Sequence, residues 1–158
     1  MAVQAGRVEA IFLATSARAE PSSVPAARAV PGRGLEGDRY FLGTGTYTNW
    51  KGRREGEALT LIEAEALEAV ADEAGIEVGA GASRRNVVTR GVALNDLVGK
   101  RFRVGGVECY GDRLCDPCRH LARLTKDGVL RALSNRGGLR ADILDEGPIA
   151  IGDLVARV

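Results

Sequence analysis

The sequence predicts a mainly β fold with several short helices, arranged as a closed or partly closed barrel, and three features of the chain lead there. It holds many short apolar and β-branched runs, glycine-rich turns separate them, and few stretches show helical periodicity. At 158 residues the chain has the size of one ordinary domain. No internal repeat or linker divides it, so residues 1–158 are expected to form a single domain.

The elements follow in order. VEAIFLA, within Gly6 to Ala14, suits a partly buried strand, and the Ala-, Ser- and Pro-rich stretch from Thr15 to Pro31 leaves room for a short strand at Ala29 and Val30. GRGLEGDRY from Gly32 sets Gly32, Gly34 and Gly37 among Arg33, Asp38 and Arg39. It reads as a tight turn, or as a close backbone approach to a ligand or another chain segment. Gly43 to Gly56 lacks apolar periodicity and reads as a long exposed loop anchored by Trp50. EALTLI from Glu57 reads as a strand. EAEALEAVADEAG from Glu63 reads as a helix with Leu67, Val70, Ala71 and Ala74 on one face and Gly75 at its end.

RRNVVTRG from Arg84 is expected to be a short β-branched strand flanked by arginines, followed by a helical turn around Asn95 to Val98. RFRV and VECY form a hairpin across Gly105 and Gly106. Alternation along VECY puts Val107 and Cys109 on one face, which makes Cys109 a core residue rather than a reactive one. HLARLT and VLRAL read as short helices, and Leu139 to Leu144, Ile149 to Ile151 and the closing LVARV as strands.

Composition narrows the class. With 45% hydrophobic and 27% charged residues, and no run approaching the roughly 18 apolar residues of a membrane span, a soluble protein with no membrane association is expected. Arg7 and Glu9 interrupt the only apolar stretch near the start, so no export signal is read and the chain is expected to be cytoplasmic. A net charge of +1 gives no global field toward nucleic acid. Every basic residue except Lys51, Lys100 and Lys126 is arginine, which suits bidentate recognition of phosphate or carboxylate. The codon usage of a high-GC genome would produce the same bias.

Chemistry points to RLCDPCRH, from Arg113 to His120. Asp116 is suited to cap a helix whose first residue is Pro117, which puts Cys118 in the first turn, where the positive end of the helix dipole and Arg113, Arg119 and His120 favour a thiolate. Asp116, as a negative charge, opposes that shift. A thiolate serves nucleophilic attack, sulfur transfer and soft-metal ligation alike. Four readings of the cysteines stay open. Cys115 and Cys118 could act as a redox dithiol, although such motifs normally follow a strand in a strand–helix–strand setting that the sequence does not suggest. Cys109, Cys115, Cys118 and His120 could bind zinc, although a second well-spaced ligand pair is missing. A single thiolate could carry sulfur or ligate a metal held mainly by a cofactor. Both thiols could also be buried and inert.

Taken together, GLEGDRY, SRRNVVTRGVALNDLVGKRFRVGGVE, RLCDPCRHL, RGGLRADIL and GPIAIGDLV resemble the MOSC domain, the family named for the C-terminal domain of molybdenum cofactor sulfurases. The resemblance runs from about Val8 to the last strand and implies a closed or partly closed barrel of the MOSC type. Cys118 matches the family cysteine, which implies a catalytic and metal-ligating residue: either a ligand to molybdenum in the molybdenum cofactor (molybdopterin), or the bearer of a persulfide. Cys115 matches a variable companion. Arg84 and Asn86 match residues that hold the pterin cofactor in molybdenum-binding relatives, with Arg85 beside them, and Arg33 or Arg39 would assist with the pterin phosphate. Gly37 and Asp38, with Gly34, match a turn that shapes the cofactor pocket, and Gly152 and Asp153 match a structural turn before the last strand.

Two functions follow from the resemblance. One is an oxidoreductase in which Cys118 ligates molybdenum for reduction or oxygen-atom transfer on a small, N-hydroxylated substrate, served by an electron-transfer partner. The other is a non-enzymatic sulfur carrier that exchanges a persulfide on Cys118 with a donor or acceptor protein, for cofactor sulfuration or metal–sulfur cluster assembly. The chain shows neither the pyridoxal-phosphate module of a complete sulfurase nor the additional β domain of the larger reductases. Any cofactor is therefore expected to be held by this domain alone or with a second subunit.

Overall fold

The structure is a computed structural model, and it describes residues 5–16, 19–42, 58–74, 83–115 and 137–158. Eleven strands and two helices are built from them: β1 (Ala5–Leu13), β2 (Ser22–Ser23), β3 (Ala26–Val30), β4 (Gly34–Leu35), α1 (Arg39–Leu42), β5 (Leu59–Glu63), α2 (Ala64–Ala74), β6 (Val87–Arg90), β7 (Arg101–Val104), β8 (Val107–Leu114), β9 (Leu139–Ile143), β10 (Gly147–Ala150) and β11 (Leu154–Arg157). The main sheet runs β11-β7-β8-β9-β5-β6-β1, and pairing of β11 back onto β1 closes it into a seven-stranded barrel, so no main-sheet edge is left along this ring. A second sheet, β10-β3-β4, packs Ile149, Ala29 and Leu35 onto the same core. No helix among the described residues is long and apolar enough to cross a membrane.

Alternation accounts for most of the interior. In the hairpin of β7 and β8, Phe102 and Val104 face inward opposite Cys109 and Val107, and all four are buried. Strand β1 breaks strict alternation, because Val8 and Ile11 are both buried although three residues apart. A bulge between Val8 and Ala10 supplies the extra residue, Glu9, whose carboxylate accepts from the Arg90 guanidinium at 2.6 Å. Arg90 also pairs with Glu68 of α2 at 3.0 Å, tying helix and barrel wall together. Glu63, at the end of β5, accepts from the backbone N–H of Leu94 at 3.2 Å and so holds the 3-10 turn Leu94–Leu97, whose two leucines are buried in the core.

Three elements differ from the sequence reading. GRGLEGDRY is more than a turn, since it contains β4 and the start of the short helix α1. The strand expected between the flanking arginines leaves out Asn86 and begins at Val87. Most consequentially, β5, α2 and β6 form a strand–helix–strand unit with β5 and β6 parallel. Both faces of that pair are covered, which is why Leu61 and Val87 as well as Ile62 and Val88 are buried. Cys115 nevertheless follows β8, which lies between antiparallel neighbours. Trp50 and the two helices expected at HLARLT and VLRAL lie outside the described residues.

Candidate functional site

The buried polar residues gather in one place. Apart from Thr89, every buried polar or charged residue among those described (Asp38, Thr60, Ser83, Arg84, Arg85 and Asn86) belongs to one stretch of chain or to a group hydrogen-bonded with it. These residues form a polar wall beside the apolar core.

Asp38 is the carboxylate of the wall and is 2% exposed. Gly37, with φ +89, turns the chain immediately before it, a conformation that an L side chain resists. Asp38 Oδ1 accepts from the backbone N–H of Ala14 at 3.0 Å and from Arg39 Nη1 at 3.2 Å. Arg39 Nη2 then donates to the carbonyl of Arg84 at 3.0 Å.

Arg84 is the only non-glycine residue with positive φ among those described, at +62, a conformation that costs such a residue roughly 1–2 kcal/mol. Its guanidinium donates to the carbonyls of Ala19 at 2.8 Å and Ser16 at 3.3 Å. Burial, and then the like charge of Arg39, lower its pKa from the ordinary guanidinium value, with Asp38 opposing them. Arg85 Nε donates to the carbonyl of Gly137 at 2.8 Å, and Nη1 to that of Ser83 at 3.3 Å. Asn86 is woven into the sheet: its Oδ1 accepts from the Thr60 hydroxyl at 3.1 Å, its Nδ2 donates to the Phe12 carbonyl at 3.2 Å, and its N–H donates to the Thr60 hydroxyl at 3.0 Å.

The segment bearing RLCDPCRH is tied to this wall where it returns, and its start is tied to that return. At one end the backbone N–H of Cys115 donates to the carbonyl of Gly138 at 2.7 Å, and at the other Gly137 holds Arg85. Gly138 has φ +100, and a Cβ there would run into the Leu61 carbonyl oxygen, so the chain re-enters the barrel at a place only glycine fits. Cys115 is buried at 1% exposure. Cys118, the expected catalytic and metal-ligating residue, lies outside the described residues, as does His120. Cys109 faces the barrel interior as alternation required, and burial, reinforced by Asp145, Glu108 and Asp142, pushes its thiol up to about 12. Among the described residues no three His, Cys, Asp or Glu side chains form a metal-binding group.

Arg84, Arg85, Asn86 and Asp38 are therefore brought together, with Gly37 as the turn that presents Asp38. Arg39 joins them. Arg33 does not figure among the wall's hydrogen bonds; its guanidinium stacks 4.7 Å from the Phe41 ring centroid. Thr60, Ser83 and Gly138 went unrecognised in the sequence. A signal existed for Thr60, a polar residue between Leu59 and Leu61 in a strand buried on both faces.

A family model of the MOSC domain matches residues 38–156, well over half the chain. No functionally curated protein matches it. Among solved structures, the YuaD protein from Bacillus subtilis superposes with a TM-score of 0.80 at 16% identity, covering 96% of this chain and 94% of that one. YiiM from Geobacillus stearothermophilus does so with a TM-score of 0.73 at 16% identity, covering 97% and 75%. YiiM from Escherichia coli gives 0.66 at 17% identity, covering 96% and 69%. At such identities the likeness to these structures is one of fold. The family model, in contrast, begins at Asp38 and runs through the polar wall, the cysteine segment and the closing strands, and by that match the chain belongs to the MOSC domain family.

Proposed function

We propose that this protein binds a molybdenum cofactor at the polar wall, with Cys118 ligating the metal, and acts as a small oxidoreductase. The observation that supports the reading is the junction at which the cysteine segment leaves and returns: Cys115 bonds to Gly138, and the adjacent Gly137 carbonyl accepts from Arg85. Cys118 stands three residues beyond Cys115, which limits it by covalent reach to about 11 Å between the two Cα atoms.

The donor set fits such a cofactor. Arg39, Arg84 and Arg85 stand against the single buried carboxylate of Asp38, so the wall carries excess positive charge that a phosphate-bearing ligand would offset. Arg84 would hold the anionic group, with Arg85 supporting the junction where the cysteine segment rejoins the barrel. The Asn86 amide, already bonded to Thr60 and Phe12, would fix the wall's shape. When bound, the cofactor would supply an open metal position for reduction or oxygen-atom transfer on a small N-hydroxylated substrate.

Elemental analysis tests the reading on protein purified from a host that makes molybdenum cofactor, comparing wild type with Cys118→Ser and Cys115→Ser. Stoichiometric molybdenum lost only in Cys118→Ser is the expected result. Zinc lost in both variants would replace the reading with a structural metal site. Absence of metal, with a gain of one sulfur on Cys118 after incubation with a cysteine desulfurase, would replace it with the sulfur carrier.

A further inference from the structure

The wall contains a closed circuit of contacts. The loop from Ala14 to Ala19 is held at its start by Asp38, which accepts from the Ala14 N–H, and further along by the Arg84 guanidinium, which donates to the Ser16 and Ala19 carbonyls. Arg39 joins these two pins, with one nitrogen on Asp38 and the other on the carbonyl of Arg84 itself. Arg84 meanwhile sits in a left-handed conformation that nothing about an arginine favours. A strained backbone persists only where its surroundings over-determine it, and the bond from Arg39 acts on the peptide that carries the strain.

We propose that Asp38 and Arg39 are positioning residues that act through Arg84, holding its backbone left-handed so that its guanidinium remains at the wall. The part of this proposal that concerns cofactor retention rests on the function proposed above; the part that concerns Arg84 and the loop does not. A single planar guanidinium bridging a buried carboxylate and a carbonyl explains why residue 39 is suited to arginine, since a lysine ammonium lacks the fork that reaches both. Asp38 then need not touch the ligand to govern its binding.

The test uses the full chain without cofactor, as wild type, Arg39→Ala, Asp38→Asn and the double variant. Amide hydrogen exchange over residues 14–20 and the Arg84 13Cα chemical shift are the readouts, with molybdenum content measured on separately loaded samples. Loss of one charge-assisted bond should speed exchange in that segment about tenfold in either single variant. The Arg84 shift should leave its left-handed value, and the double variant should be no worse than the singles, because both break one circuit. A purely structural role would instead raise exchange throughout β1 and β6. Unchanged exchange and shift in Arg39→Ala, whose side chain is 19% exposed and whose loss the fold should tolerate, would overturn the proposal, as would effects that multiply in the double variant. If wild type binds no molybdenum while the exchange and shift results hold, the function proposed above fails and the positioning roles stand.

Discussion

The barrel interior and most of the polar wall are both buried, yet they are made of opposite chemistry. Phe102, Leu61, Leu139 and Cys109 fill the interior with apolar surface that needs no partners. At the wall, Asp38, Arg84, Arg85 and Asn86 are also buried and answer to specific carbonyls, amides and hydroxyls. Burying charge is expensive even when it is paired. The difference teaches where to look for function: the interior explains why the chain folds, and the wall gathers charged groups whose burial carries a cost.

The comparison can be broken first at the interior. Phe102→Ala removes a fully buried ring and should destabilise the fold by about 3–5 kcal/mol, read as a fall in the denaturation midpoint, while molybdenum per folded molecule stays at the wild-type level. Asn86→Ala should cost less, about 1–3 kcal/mol, by removing the acceptor of the Thr60 hydroxyl proton and the amide donor to the Phe12 carbonyl. Unlike Phe102→Ala, it should lower cofactor content beyond what the lost stability explains. Equal cofactor loss per kcal/mol in the two variants would erase the distinction.

Thiol chemistry sharpens the same contrast. With its pKa pushed up to about 12, Cys109 should resist iodoacetamide in the native protein at mildly alkaline pH, whereas Cys118 should be alkylated first, as mass spectrometry of the peptides would report. Native-state labelling of Cys109 ahead of Cys118 would contradict it. The smallest effect concerns Glu63, whose carboxyl is raised above its ordinary 4.5 by burial first and by Glu65 and Asp96 next, against the favourable bond from Leu94. Because the folded state holds that proton more tightly, this contribution is fully present below pH 4.5 and is lost as pH rises through the higher folded value. Glu63→Gln should flatten that decline in denaturation curves measured across the window.

The interior was legible because alternation is local. RFRV and VECY determine which side chains point inward without reference to distant chain, and Cys109 could be placed from its neighbours alone. The bulge at Glu9 was not legible, since it depends on the register with β6. Resemblance pointed to Arg84, Arg85, Asn86 and Asp38, but their partners could not be read, because Ser16, Ala19, Phe12, Thr60 and Gly137 meet them through backbone carbonyls or from far along the chain. Hydropathy alone would have left three arginines on the surface. The parallel pairing of β5 and β6 was missed, although strand, helix and β-branched strand follow one another there, a succession that favours a crossover unit.

The central proposal is that this protein binds its cofactor at the wall and not through the barrel as such. The most direct measurement is molybdenum per folded molecule in Arg84→Gly beside Phe102→Leu. Glycine accepts the left-handed backbone at position 84, so that variant removes the guanidinium with little strain, while Phe102→Leu weakens the core and leaves the wall intact. The account predicts that Arg84→Gly loses molybdenum at near-wild-type stability and that Phe102→Leu keeps it at reduced stability. Molybdenum retained in Arg84→Gly, or lost in both in proportion to stability, would contradict it.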